Sequence, residues 1–178
     1  MEAVLISGSP STTSKSRTLL EHAQSVLAAA GWSTTLVDLA TLPADALLGR
    51  RRNDAAVTSA VSAISGAQVV VASSPTYRAT YSGLLKTFFD LLPQDCLAGK
   101  IGVPILTGGG PGHQLALDHT FRPLFASLRA TVVNGVYGHD AQFTSGVDTQ
   151  LLESVDAAIE QAIVLARSMT DFGVRIAD

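Results

Sequence analysis

The chain has 178 residues, of which 47% are hydrophobic and 15% charged, with a formal net charge of -3. That size bounds one domain over residues 1–178 with a full core, and so mild an acidity gives no electrostatic case for nucleic acid as a partner. A single cysteine, Cys96, excludes an internal disulfide framework or a cysteine-only metal site, and no apolar run approaches the roughly 18 residues of a membrane span.

Strand-like apolar runs alternate with helical patterns along the whole chain. The opening, MEAVLISGSP, enters a strand at 2–7 with no basic and apolar leader, which reads as cytoplasmic. A polar turn from Ser7 to Arg17 leads to a helix near 15–30, whose Leu19, Ala23, Val26, Leu27 and Ala30 share one face and which stops at Gly31. A strand at 33–38 is followed by an irregular stretch at 40–53, an edge excursion whose Arg50, Arg51 and Arg52 read as a solvated loop or, alternatively, a local binding patch. After a helix near 54–65, the run Ala67–Ser74 has the continuous apolar character of a parallel strand, at 67–73, buried on both faces. Pro75 and Gly83 then bracket a loop before a helix near 83–92. A fourth strand at 100–106 ends in Thr107-Gly108-Gly109-Gly110-Pro111-Gly112. The next helical pattern, near 113–129, runs through Pro123, whose ring clashes with the carbonyl of His119, so the spacing predicts a kink or a one-residue π-bulge there. A strand at 131–136 and a helix near 149–169, with Leu151, Val155, Ile159 and Ile163 on one face, complete the series.

Five βα units predict an α/β fold: a doubly wound, five-stranded parallel sheet with helices on both faces. Such sheets follow either the dinucleotide order with a G-x-G-x-x-G turn, or the flavodoxin-like order 2-1-3-4-5 with FMN at the switch between strands one and three. The first turn, S-G-S-P-S-T-T-S-K-S-R, lacks the three glycines of the former and the G-K-[ST] of a P-loop. It offers hydroxyls at Ser9, Ser14 and Ser16, with Arg17, beside a helix N-terminus, where free N–H groups and the helix dipole favour a phosphate dianion. The same residues would equally cap a helix after a polar turn. The loop from Pro75 through Thr76, Tyr77 and Arg78 to Tyr81, Ser82 and Gly83 has two tyrosines and little charge, which suits the flat, polar-edged ring of a flavin. Glycines at 108, 109 and 110 let backbone approach a ligand closely, so Thr107 to Gly110 are assigned to the ring edge.

The pattern P-x-Y-x-x-x-Y-S-G-x-L-K-x-x-x-D, formed by Pro75, Tyr77, Tyr81, Ser82, Gly83, Leu85, Lys86 and Asp90, resembles the flavin-ring loop of the flavodoxin-like NAD(P)H-dependent FMN reductases. The likeness runs from Met1 to about Gln142 and is greatest with the reductase components of two-component alkanesulfonate and methanesulfonate monooxygenase systems. It implies FMN with NADPH or NADH, a flavin-dependent monooxygenase as partner, and a homodimer or homotetramer. In those reductases the segment A-V-D-Y-A-L-K-P carries a tyrosine on a π-helix at the tetramer interface beside the flavin. Here Asp118-His119-Thr120 stands in that place, so His119 takes the tyrosine's position, as in the methanesulfonate-type branch. Tyr81, Ser82 and Gly83 are open between flavin contact and helix capping, and Arg78 between the ring and the nucleotide phosphates.

Other constellations fail. His22, His113, His119 and His139 show no metal-binding spacing, and Ser9 is not in a G-x-S-x-G nucleophile turn. Two rival functions are an FMN-bound quinone, azo or nitro reductase, and a flavodoxin-type electron carrier. The latter proteins are usually more acidic than this chain.

Overall fold

Successive residues of a buried strand face opposite sides of the sheet, so strands rich in apolar residues at every position generate two cores. The computed structural model, which describes residues 1–177, shows both. Its strands are β1 (Glu2–Ser7), β2 (Ser33–Asp38), β3 (Val69–Tyr77), β4 (Thr80–Tyr81), β5 (Ile101–Gly108), β6 (Thr131–Val132) and β7 (Val136–His139). Helices α1 (Lys15–Ala29), α2 (Ala44–Leu48), α3 (Ala55–Gly66), α4 (Gly83–Phe89), α5 (Arg122–Ser127) and α6 (Thr149–Ala177) cover them. Ala3, Leu5, Val69, Val71, Ile101, Val103 and Ile105 meet α1 and α6 through Leu19, Leu27, Val155 and Ile159. Val4, Ile6, Val70, Ala72 and Leu106 face the other way, onto Leu85, Phe88, Phe121 and Phe125.

The sheet runs β2-β1-β3-β5-β6, with β7 also against β5, and every pair is parallel except the β3–β4 hairpin. This is the flavodoxin-like order expected from the sequence, with the fifth strand divided. The divided strand differs from the expected 131–136: pairing with β5 breaks after Val132, resumes at Val136 and continues to His139. The third strand also outruns its expected end. Instead of an open loop, β3 continues to Tyr77 and folds back through Arg78 and Ala79, at φ 49 and 66°, onto Thr80 and Tyr81. Two successive left-handed residues make the tight turn that matches strand twist, and Arg-Ala lacks the Asn-Gly signal that would have revealed it.

Two further departures concern helices. The stretch at 40–53 contains α2, held because Ala46 and Leu47 are buried under α4. The helix expected at 113–129 is in three pieces: a 3-10 turn at Pro111–Gln114, a π-helix at Leu117–Phe121, and α5. In the π turn the Arg122 N–H donates to Leu117 O five residues back, and one extra residue is accommodated before Pro123. That register keeps both Leu117 and Phe121 in the core.

Candidate functional site

The carboxyl ends of β1, β3 and β5 come together at one sheet edge. Gly8, just beyond β1, donates its N–H to Ser73 O at 2.8 Å and accepts the Ser82 hydroxyl at its own carbonyl. A Cβ on Gly8 would lie 2.9 Å from both Ser73 O and Leu85 Cβ, so only glycine lets the first turn pass under α4. The close approach at β5 is similar: a Cβ on Gly108 would meet His113 Nδ1 at 2.8 Å, Thr76 Cβ at 3.2 Å and the Tyr137 hydroxyl at 3.2 Å. A third link is the ion pair Lys15–Asp140, at 2.9 Å, which ties the start of α1 to the residue after β7.

The first turn has the donors a phosphate needs. Ser9 is buried and Ser16 fully so. Ser14 is the N-cap of α1, accepting the Arg17 N–H at 3.1 Å, and its hydroxyl lies 3.2 Å from that of Ser16. The N–H groups of Lys15 and Ser16 have no acceptor among the described residues, as the first turn of a helix requires. Arg17 is differently placed from the sequence expectation: its guanidinium is committed to Asp38 at 2.7 Å and Glu21 at 2.8 Å.

On the second segment, Pro75 sits opposite Thr107 in the β3–β5 ladder and Thr76 opposite Tyr81 in the hairpin. Tyr77, Arg78 and Ala79 form its exposed tip. The Thr76 hydroxyl is buried without a partner, as are the hydroxyls of Ser7 and Ser73 and the Nδ1 of His113. Unsatisfied buried polar atoms are uncommon in native proteins, and a cluster of them at one edge marks where a polar ligand would complete the bonding. Ser82 is the N-cap of α4, its hydroxyl accepting the Leu85 N–H at 3.1 Å, while Gly83 is exposed beside it. Tyr81 packs at a tilt against Phe121 of the π-helix with ring centres 5.3 Å apart, and burial pushes its hydroxyl pKa up.

Thr107 is buried, and Gly108, Gly109 and Gly110 follow it onto the surface. The π-helix at His119 is where the proline predicted it, and the His119 side chain is exposed. Sequence reasoning missed Gly8, His113, Tyr137 and His139 at the edge. A longer fifth strand would have revealed the last two, since every parallel strand of the sheet ends its carboxyl side at the same rim.

A polar turn on a helix N-terminus, an aromatic hairpin and a glycine loop thus lie together at one switch point. The profile for NADPH-dependent FMN reductase matches residues 1–145. The chain belongs to this family. It is 35% identical over 178 residues to an FMN reductase (NADPH) of Pseudomonas putida, covering 99% of this chain and 89% of that one. An FMN reductase (NADPH) of Escherichia coli is 33% identical over 170 residues, with 90% and 87% covered. Among solved structures, the apo form of the NADH:FMN oxidoreductase EMOB superposes with a TM-score of 0.85 at 36% identity, over 94% of this chain and 89% of that one. This FMN reductase is therefore an oxidoreductase that works with FMN and a reduced nicotinamide nucleotide.

Proposed function

We propose that this flavin reductase binds FMN across the rim just described and supplies reduced flavin to a flavin-dependent monooxygenase. Supporting the first part is the convergence of three complementary surfaces at one edge. Ser9, Ser14 and Ser16, with the free N–H groups of α1, would hold the phosphate, and Arg17 remains its neighbouring positive charge with part of its donor set already taken. Pro75, Thr76, Tyr77 and Arg78 would flank the ring, with Tyr81, Ser82 and Gly83 supporting the hairpin from behind. Thr107 to Gly110 would meet the ring edge.

When bound, FMN supplies the hydride-accepting chemistry, so the protein needs no strong acid or base of its own. What the chain contributes is an anchor, a fixed ring position, N–H donors where negative charge gathers, and an open outer face beside Tyr77 for the nicotinamide. The sulfonate-system resemblance supports a monooxygenase partner, a cytoplasmic location and a homodimer or homotetramer in which His119 lies at a subunit contact beside the flavin. His119 belongs to the site only in that assembly.

Steady-state kinetics with FMN as the varied substrate test the reading. Saturable NADPH or NADH oxidation that depends on added free FMN is expected of a flavin supplier. A yellow protein that passes electrons to a quinone, azo or nitro acceptor without added flavin would replace this reading with a tightly bound flavoenzyme.

A further inference from the structure

The glycine loop does not hold its shape alone. The Tyr137 hydroxyl lies 2.8 Å from Gly108 O and 2.7 Å from Gly110 O, and its one proton serves both. The remaining carbonyl, Gly109 O, is 3.1 Å from His139 Nε2. The Ala141 N–H donates to His139 Nδ1 at 3.1 Å, so that nitrogen carries a lone pair and the ring proton sits on Nε2, directed at Gly109 O. Burial, with Asp140 adding to it, raises the Tyr137 pKa, which keeps the hydroxyl protonated as a donor. Three consecutive carbonyls are thus drawn toward β7 by two side chains one strand away.

In a trans peptide the N–H points opposite to the preceding C=O. Drawing Gly108 O and Gly109 O toward β7 therefore turns the N–H groups of Gly109 and Gly110 away from it, and neither finds an acceptor among the described residues. β3, with the unpartnered Thr76 hydroxyl, lies on that other side of β5. We infer that Tyr137 and His139 are positioning residues that aim the Gly109 and Gly110 N–H groups at the flavin ring edge and so favour the reduced, more electron-rich flavin over the oxidised one. This rests on the proposed placement of the ring edge at Thr107 to Gly110. Glycine cannot keep such an orientation unaided, because without a Cβ it populates both signs of φ with comparable ease. Asp140, whose carboxylate sits 3.0 Å from where a Gly109 Cβ would be, is held off by Lys15.

The test uses the full chain labelled with 15N-glycine, with FMN, riboflavin and dithionite-reduced FMN as the probes. In the wild type, the Gly109 and Gly110 amide signals should shift on addition of FMN. In Tyr137→Phe and His139→Ala they should already be displaced before flavin is added. Affinity for oxidised FMN and for riboflavin should fall about fivefold alike, the worth of one neutral hydrogen bond. Reduced FMN should lose about tenfold more, which lowers the two-electron potential of the bound flavin by about 30 mV. His139→Gln, which keeps a donor, should recover most of the loss. Wild-type glycines that respond to FMN, with unchanged affinity and potential in both variants, would overturn the positioning role and leave the site standing. Equal losses for both redox states with no recovery in His139→Gln mark a merely structural role and overturn it as well. Wild-type glycines silent to FMN would remove the ring-edge assignment itself and the inference with it.

Discussion

At the scale of single residues, the site is built from small side chains that each have two tasks. Ser14 caps α1 and also faces the proposed phosphate, so its loss has to be read against a ligand that lacks the phosphate. Ser14→Ala should weaken FMN about tenfold and leave riboflavin nearly unchanged, since a hydrogen bond to a charged group is worth about 1.5–3 kcal/mol. Equal weakening of both in a binding titration would show that only the helix cap was lost. Ser82 joins the first turn to α4 through Gly8 O and the Leu85 N–H. Ser82→Ala removes the cap and leaves a buried carbonyl unpaired, and it should cost about 1–2 kcal/mol in urea denaturation. Both serines were visible in the sequence as polar residues before a helix. That Ser82 binds backbone on two elements was not visible, because its partner Gly8 lies 74 positions away.

At the scale of elements, the hairpin β3–β4 and the π-helix form one unit, joined by Tyr81 on Phe121. The extra residue of the π turn sets the phase of everything between Leu117 and Phe125. Deleting His119 restores an α-helical register and turns one flank by about 100° relative to the other. Either Leu117 or Phe121 then leaves the core, so the deletion should destabilise the protein by several kcal/mol and disturb flavin binding through Tyr81. His119→Ala keeps the register and should leave the melting temperature within a degree or two while changing FMN retention if the histidine meets the flavin at a subunit contact. Wild-type FMN dissociation in His119→Ala would return the residue to the solvent-facing surface. The proline made this break legible in advance. The hairpin was not legible, because Arg78 and Ala79 carry no turn signature and take left-handed φ only under the constraint of pairing.

At the scale of the molecule, charge and assembly can be checked directly. Light scattering should return a multiple of 18.5 kDa if the proposed homodimer or homotetramer forms. A monomer at micromolar concentration would contradict this. Stability should fall in alkali. Burial raises Cys96 above its ordinary 9.0, and it raises Tyr81 and Tyr137 above 10.0. In each case the native state binds the proton more tightly, so stability is intact below those ordinary values and is lost as pH rises through the folded ones. Lys100 works the other way, because burial lowers it from 10.5 and the unfolded chain holds the extra proton up to that pH. With three groups against one, the urea midpoint should be lower at pH 10.5 than at pH 8, and alkylation of Cys96 in the native protein should go on accelerating past pH 9, where an ordinary thiol begins to level off.

The sequence alone determined the alternation of buried strands and amphipathic helices, the polar first turn, the glycine loop and the helix break before Pro123. These are local properties: periodicity, a ring that cannot donate, and hydroxyls beside a helix start. Only tertiary structure decided how far β3 and β7 run, that Arg17 is bound to Asp38, and that Tyr137 and His139 grip the glycine carbonyls. Those features depend on which strands lie side by side. Pairing across 27 to 30 positions leaves no periodic trace in the chain, because either partner is an ordinary residue until the other is placed against it.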